Sequence, residues 1–124
     1  MARVLCTTSC ETLAQVLKHE SEFVCLFVDT DTAPDASHTA KGFLLQCARE
    51  EAEAARRPLL VVASGAALLN TCDVRYVPVA VRMRHGKCVD VAAGFSFVRL
   101  GDLWRGRRSR RSRRSRHRER YCVS

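Results

Sequence analysis

No apolar run in this 124-residue chain approaches the roughly 20 residues needed to cross a bilayer. The longest, Phe23–Val28 and Leu59–Ala63, have the length of strands. Membrane insertion is therefore disfavoured. The amino end also lacks the charged-then-apolar pattern of a secretion signal, because Glu11 and Lys18 come too early. An intracellular protein is expected. Aromatic residues are scarce, at 6%. That counts against a nucleic-acid-binding body, because single-strand binders pair basic grooves with aromatic platforms. There are no internal repeats, and the length leaves room for one core.

Seven cysteines are present, an odd number with no secretion signal before them. A disulfide scaffold is thereby disfavoured. Most are expected to be reduced thiols, packed as small hydrophobes on strand and helix faces.

The charge is unevenly placed. Between Arg105 and Arg120 the chain has ten Arg and one Glu, a balance of +9; the rest has 11 Lys+Arg against 12 Asp+Glu, a balance of −1. The boundary falls at 104/105, with a globular domain over 1–104 and a basic tail over 105–124. Any electrostatic argument about partners concerns that tail.

Periodicity gives the order of elements in the body. Residues 2–7 read as a short strand. Thr8 and Glu11 form a capping box before a helix carrying Leu13, Val16 and Leu17, which ends near Ser21. Residues 23–29 read as a strand, apolar throughout to Val28, the mark of burial on both faces. Pro34 suits the first position of the next helix. That helix gathers Ala40, Phe43, Leu44, Cys47, Ala48, Ala54 and Ala55 on one face, with Arg49, Glu50, Glu53 and Arg56 outside it, and Pro58 stops it. Leu59–Ala63 is a second buried strand, and 65–70 a short helix.

Val77–Arg84 alternates, with Val77, Val79, Val81 and Met83 on one face and Arg82 and Arg84 on the other. The pair His85-Gly86 then separates it from a second alternating run, Lys87–Val91, which makes a hairpin. Phe97, Leu100 and Trp104 share the apolar face of a last helix, with Trp104 as its anchor against the sheet. The sequence thus predicts an α/β fold: βαβαβ, a short helix, a hairpin and a closing helix on one mixed sheet.

The stretch Thr71-Cys72-Asp73-Val74-Arg75-Tyr76-Val77-Pro78, the strand Val79–Arg84, the turn His85-Gly86-Lys87 and the end Val91-Ala92-Ala93-Gly94 together resemble the thioredoxin family. The likeness is specific over 71–94 and extends as a pattern over about 2–104. It implies a thioredoxin-like fold with a central mixed sheet flanked by helices. It also implies a cis peptide at Val77–Pro78, where the residues alone equally allow a trans proline at a strand's first position. Val77 and Pro78, with Ser37 and His38 across from them, would then form a binding groove.

The resemblance breaks at the chemistry. Thioredoxins carry Cys-x-x-Cys at the start of the second helix, where the helix N-terminus lowers a thiol pKa. Here that window reads Thr32-Ala33-Pro34-Asp35-Ala36-Ser37-His38, with no Cys in any register. The place of the family's buried Asp falls to Phe27, Val28 or Asp29. The resemblance carries the fold without the dithiol.

Other candidates have plainer readings. Cys6 and Cys10 are half a zinc site at best, with no partner pair at ligand spacing. Asp35, Ser37 and His38 suggest a relay, but Asp35 or Ser37 as a helix N-cap is the simpler role. Cys72 stands where some thioredoxins carry an extra modifiable Cys; a half-buried spacer thiol is the plainer reading. No catalytic residue, metal or cofactor is assigned.

The tail repeats Arg-Arg-Ser. Such low-complexity sequence buries no core, and its guanidiniums bind polyanions by counterion release. The polyanion-binding residues are Arg105, Arg107, Arg108, Arg110, Arg111, Arg113, Arg114, Arg116, Arg118 and Arg120. Ser109, Ser112 and Ser115 each follow two Arg and fit basophilic kinases.

The expected function is a redox-inactive thioredoxin-like binding or structural subunit of a larger assembly. Its body would contact protein, and its tail RNA or another acidic polymer. The alternative is an atypical thiol-disulfide oxidoreductase using a non-standard Cys. The tail points to a nuclear or ribonucleoprotein setting, with cytoskeletal or mitochondrial assemblies also compatible.

Overall fold

The computed structural model describes residues 3–50 and 58–106. The elements in chain order are β1 (Val4–Thr7), α1 (Cys10–His19), β2 (Glu22–Phe27), α2 (Pro34–Glu50), β3 (Leu59–Ala63), α3 (Ala66–Thr71), β4 (Val79–Arg84), β5 (Lys87–Ala93) and α4 (Phe97–Arg105). Five strands form one sheet in the order β1-β3-β2-β4-β5. The first three pairings are parallel, parallel and antiparallel, and β4 pairs antiparallel with β5. The all-apolar β3 lies between two neighbours, and β2 lies at the centre. Both are covered on both faces, as their unbroken apolar runs require.

The core has two apolar layers, one on each face of the sheet. On one face, Val24, Leu26, Leu60, Val62 and Ala80 meet Leu44 and Cys47 of α2 and Leu100, Leu103 and Trp104 of α4. On the other, Phe23, Cys25, Val61, Val79 and Val81 meet Val16 of α1 and Leu68 of α3. The helix face foreseen for α2 holds for Ala40, Leu44, Cys47 and Ala48, all buried, while Phe43 is only partly buried at the core's edge. Residues 51–57, including Ala54 and Ala55, lie outside the described residues. Leu44→Ala should cost about 2–5 kcal/mol in a denaturant titration, and Phe43→Ala about half the usual 3–5 kcal/mol of a core Phe truncation. Equal losses would show that Phe43 belongs to the core after all.

Several local expectations need correction. The cap of α1 is Ser9, whose Oγ accepts from the Thr12 N–H at 3.3 Å, and not Thr8. The Thr7 hydroxyl oxygen accepts the Ser9 N–H and fixes the chain's entry into the helix. Pro34 does open α2, with Asp35 in the first turn; neither Asp35 nor Ser37 is its cap. Phe97 is no core residue: it is 53% exposed and stacks on Phe43, with ring centroids 4.8 Å apart. The turn between β4 and β5 has positive φ at both His85 (52°) and Gly86 (77°), the geometry of a tight hairpin.

Arg82 lies on the face opposite Val79, Val81 and Met83, as the alternation implies, but that face is covered by α4 and Arg82 is buried. A register shift places its partner across the strand pair. Arg82 pairs with Asp90 and Met83 with Cys88, leaving Val89 as the extra residue of a bulge. Beyond the bulge the alternation of β5 reverses, so Asp90 joins Arg82 beneath α4. The Arg82 guanidinium donates to the carbonyls of Leu103 (3.0 Å) and Trp104 (2.6 Å), and it pairs with Glu22. Asp90 pairs with Arg99 of α4 at 3.3 Å. The closing helix is thus held at its C-terminus by a buried cation, a favourable position for positive charge. Gly106 ends α4 with φ 76°, and a Cβ there would stand 3.4 Å from the Arg82 guanidinium carbon. Arg105 belongs to the last turn of α4.

Candidate functional site

The carboxyl ends of the parallel strands are where α/β sheets place their sites. Here β2 ends at Phe27 opposite Ala63 of β3 and Val79 of β4, and Val79 lies opposite Ala93 of β5. Asp29, Pro78 and Gly94 are therefore gathered at one end of the sheet, where α2 begins. The Val77–Pro78 peptide is cis, as the family resemblance implied. The Gly94 N–H donates to the Pro78 carbonyl at 2.8 Å, which closes the β4 and β5 ends together.

The loop from Asp29 to Ala33 is built on the Asp29 carboxylate. Its Oδ1 accepts the Asp31 N–H and its Oδ2 the Thr32 hydroxyl, both at 2.9 Å. These bonds, the Asp31 N–H first, hold the Asp29 carboxyl below its ordinary range. Asp29 is a loop-shaping residue, and Phe27 and Val28 are buried apolar side chains. None of the three supplies a buried carboxylate beside a thiol.

Ser37 is not a groove residue. It is fully buried, and its hydroxyl both accepts from the Asp29 N–H and donates to the Asp29 carbonyl at 3.1 Å, tying α2 to the end of β2. Its hydroxyl is therefore committed away from the Asp35–Ser37–His38 relay. His38 is exposed, Val77 half-buried and Pro78 buried. The surface at this end carries instead two aromatic side chains that periodicity did not single out. Tyr76, two residues before Pro78, is 69% exposed, and Phe95, directly after Gly94, is 56% exposed. Their signal in the sequence was an aromatic residue next to each of the two backbone segments that close this end.

Cys6, Cys10, Cys25, Cys47 and Cys72 are thiols, whereas Cys88 is disulfide-bonded. Cys6 is exposed on the edge strand β1, whereas Cys10 opens α1 and packs in the same cluster as Cys25 and Cys72. The structure thus brings Cys10 toward Cys72. Burial pushes the Cys72 thiol above its usual range, and the neighbouring Cys10 adds to the shift. Burial pushes the Cys25 thiol up further, with Cys72 as a second cause. Among the described residues, no group of three or more His, Cys, Asp or Glu is placed to hold a metal ion. No helix among them is long and apolar enough to cross a membrane. Of the expected polyanion contacts only Arg105 is described, exposed in α4; Arg107 to Arg120 and Ser109, Ser112 and Ser115 lie outside the described residues.

No protein-family model matches the chain. No curated protein matches it by sequence either. Solved structures do match. A thioredoxin from Trypanosoma brucei brucei superposes with a TM-score of 0.68 at 16% identity, covering 85% of this chain and 90% of that one. The oxidised thioredoxin of Plasmodium falciparum gives 0.68 at 12% identity, over 83% and 96%. Mitochondrial thioredoxin 3 of Saccharomyces cerevisiae, also oxidised, gives 0.67 at 14% identity, over 83% and 94%. At such identities the likeness is one of fold: the five-stranded mixed sheet, its flanking helices and their order are thioredoxin-like.

Proposed function

We propose that the chain is a thioredoxin-like binding subunit without dithiol chemistry. Its body contacts a protein partner at the Pro78 end, and its Arg/Ser segment contacts RNA or another polyanion. The observation that carries this reading is the make-up of the α2 N-terminus: residues 30–38 contain no thiol, and Pro34, Asp35 and His38 occupy the surface there. Disulfide exchange of the thioredoxin type uses a thiolate at that helix end. Exposed aromatics beside Pro78 suit a docking surface, because Tyr and Phe give large contact area at low entropic cost. A nuclear or ribonucleoprotein setting belongs to this proposal and rests on the Arg/Ser segment; cytoskeletal and mitochondrial assemblies offer the same acidic surfaces.

A second reading, an atypical oxidoreductase, draws on the packing of Cys10 with Cys72 in one cluster. It is opposed by the raised Cys72 thiol, which stays protonated and poorly nucleophilic at neutral pH. Insulin-disulfide reduction with a dithiol donor separates the two. The full chain is expected to add nothing to the rate of the donor alone. Turnover comparable to a thioredoxin would overturn the proposal, and Cys72→Ser and Cys6→Ser would then locate the thiol.

A further inference from the structure

Among the described residues, the sheet face that carries α1 and α3 is incompletely roofed. The helix α3 has six residues and spans about 9 Å. The six-residue strands β2 and β4 beneath run about 20 Å. Between these described elements lies a half-open cavity of about 380 Å³. Its floor includes Phe23, Val81 and Met83, its wall Leu13 of α1, and its rim Cys10 and Cys72.

Among the described residues, none that line it carries a charge. The Thr71 hydroxyl at its edge is already committed to the Ala67 carbonyl at 2.9 Å. Burial keeps the Cys25 and Cys72 thiols neutral. A charged ligand would lose its hydration here with nothing to replace it. An apolar guest gains dispersion and loses little, as in other apolar cavities. The volume lies at the small end of the range that holds small molecules, about 300–1,000 Å³. Sulfur from Met83 and the thiols favours aromatic rings, which make good contacts with polarizable sulfur. Leu17, 44% exposed, lines the mouth and gives an apolar approach.

We infer that this cavity binds a compact, uncharged aromatic molecule of about two rings. The cavity reaches Phe27 and Val79 beside the Pro78 end, but the inference does not rest on the function proposed there.

The test uses the full chain and the uncharged probe N-phenyl-1-naphthylamine. Its fluorescence should rise saturably with one-to-one stoichiometry. Ala14 lines the cavity from α1 but is itself exposed, so Ala14→Trp fills the space with little disturbance. That variant should keep its melting temperature and lose at least about tenfold in probe affinity, or roughly 1.4 kcal/mol. Saturating probe should also slow alkylation of Cys72 by iodoacetamide while leaving the exposed Cys6 unaffected. If Ala14→Trp fails to fold, Thr71→Phe fills the cavity from the opposite side with the same expectation. The inference is overturned if no saturable signal appears, if the filling variant binds as well as the native chain, or if Cys72 is not protected. Loss of binding in Tyr76→Ser would also overturn it, because it would place the probe at the Pro78 end.

Discussion

Deleting residues 107–124 is expected to abolish binding to RNA or any other polyanion. Residues 107–120 hold nine Arg and one Glu, a balance of +8; the remainder of the chain has 12 Lys+Arg against 12 Asp+Glu and is neutral. Attraction to a polyanion then has one source. If most of those guanidiniums engage phosphates, affinity falls by about 10³–10⁵ between roughly 50 and 200 mM salt, with little dependence on base sequence. Titrations by fluorescence anisotropy at several salt concentrations read both the loss and the slope. Replacing Ser109, Ser112 and Ser115 together by Glu should weaken binding in part, since it removes three charges of the eight. Phosphorylation of all three should do more, adding about −4.5 to −6. Binding by the truncated chain as tight as by the full one, or a flat response to salt, would refute the assignment.

Arg82→Met should cost about 3–5 kcal/mol, the scale for removing one partner of a buried ion pair. The loss has two parts: the Glu22 carboxylate is left without its buried partner, and the Leu103 and Trp104 carbonyls lose their donor. Urea denaturation at neutral pH measures it; a loss under about 1 kcal/mol would mean the buried guanidinium merely fills space. The pair also predicts an acid effect. Burial alone would raise the Glu22 carboxyl, but hydrogen bonds and charge from Arg82, and then from Arg84 at 3.3 Å, outweigh it, and the group is held below its ordinary 4.5. A carboxyl lowered on folding contributes stability above its unfolded value, and the contribution is lost as pH falls through the folded value. The stability gap between the native chain and Glu22→Gln should therefore be full at neutral pH and shrink below about pH 4.5. A gap that widens on acidification would contradict the pairing.

Much of the fold was legible because its signals are local. The unbroken apolar runs of β2 and β3 follow from burial on both faces, and the hairpin from a two-residue turn ending in Gly86. Pro34 opens α2 because the first helical turn has no use for its missing N–H. The burial of Arg82 has a cause that alternation cannot supply. Period two says which side a residue takes, but not whether that side is covered. The cover is α4, whose terminal carbonyls lie 21 and 22 residues away in sequence. The Val89 bulge was hidden for a related reason, since an extra residue shows only against its partner strand. Phe97 shared a helical face with Leu100 and Trp104, but it sits at the helix's first position and reaches only the Phe43 ring at the core's edge. At the site, absence was the readable signal: residues 32–38 plainly lack thiols. The commitment of Ser37 to Asp29 was not readable, because a serine near a helix start looks the same whether it caps or is buried.

The way Arg82 grips the end of α4 has a mechanical consequence. A polymer that holds the chain beyond Gly106 pulls on the body from that point. The tension passes through the Leu103 and Trp104 carbonyls to a guanidinium rooted in β4, a strand paired on both sides. The buried Trp104 ring lies in the same path. Peeling α4 from its C-terminal end requires breaking two charge-assisted bonds and withdrawing that ring. A tether attached here therefore loads a buried junction of the closing helix.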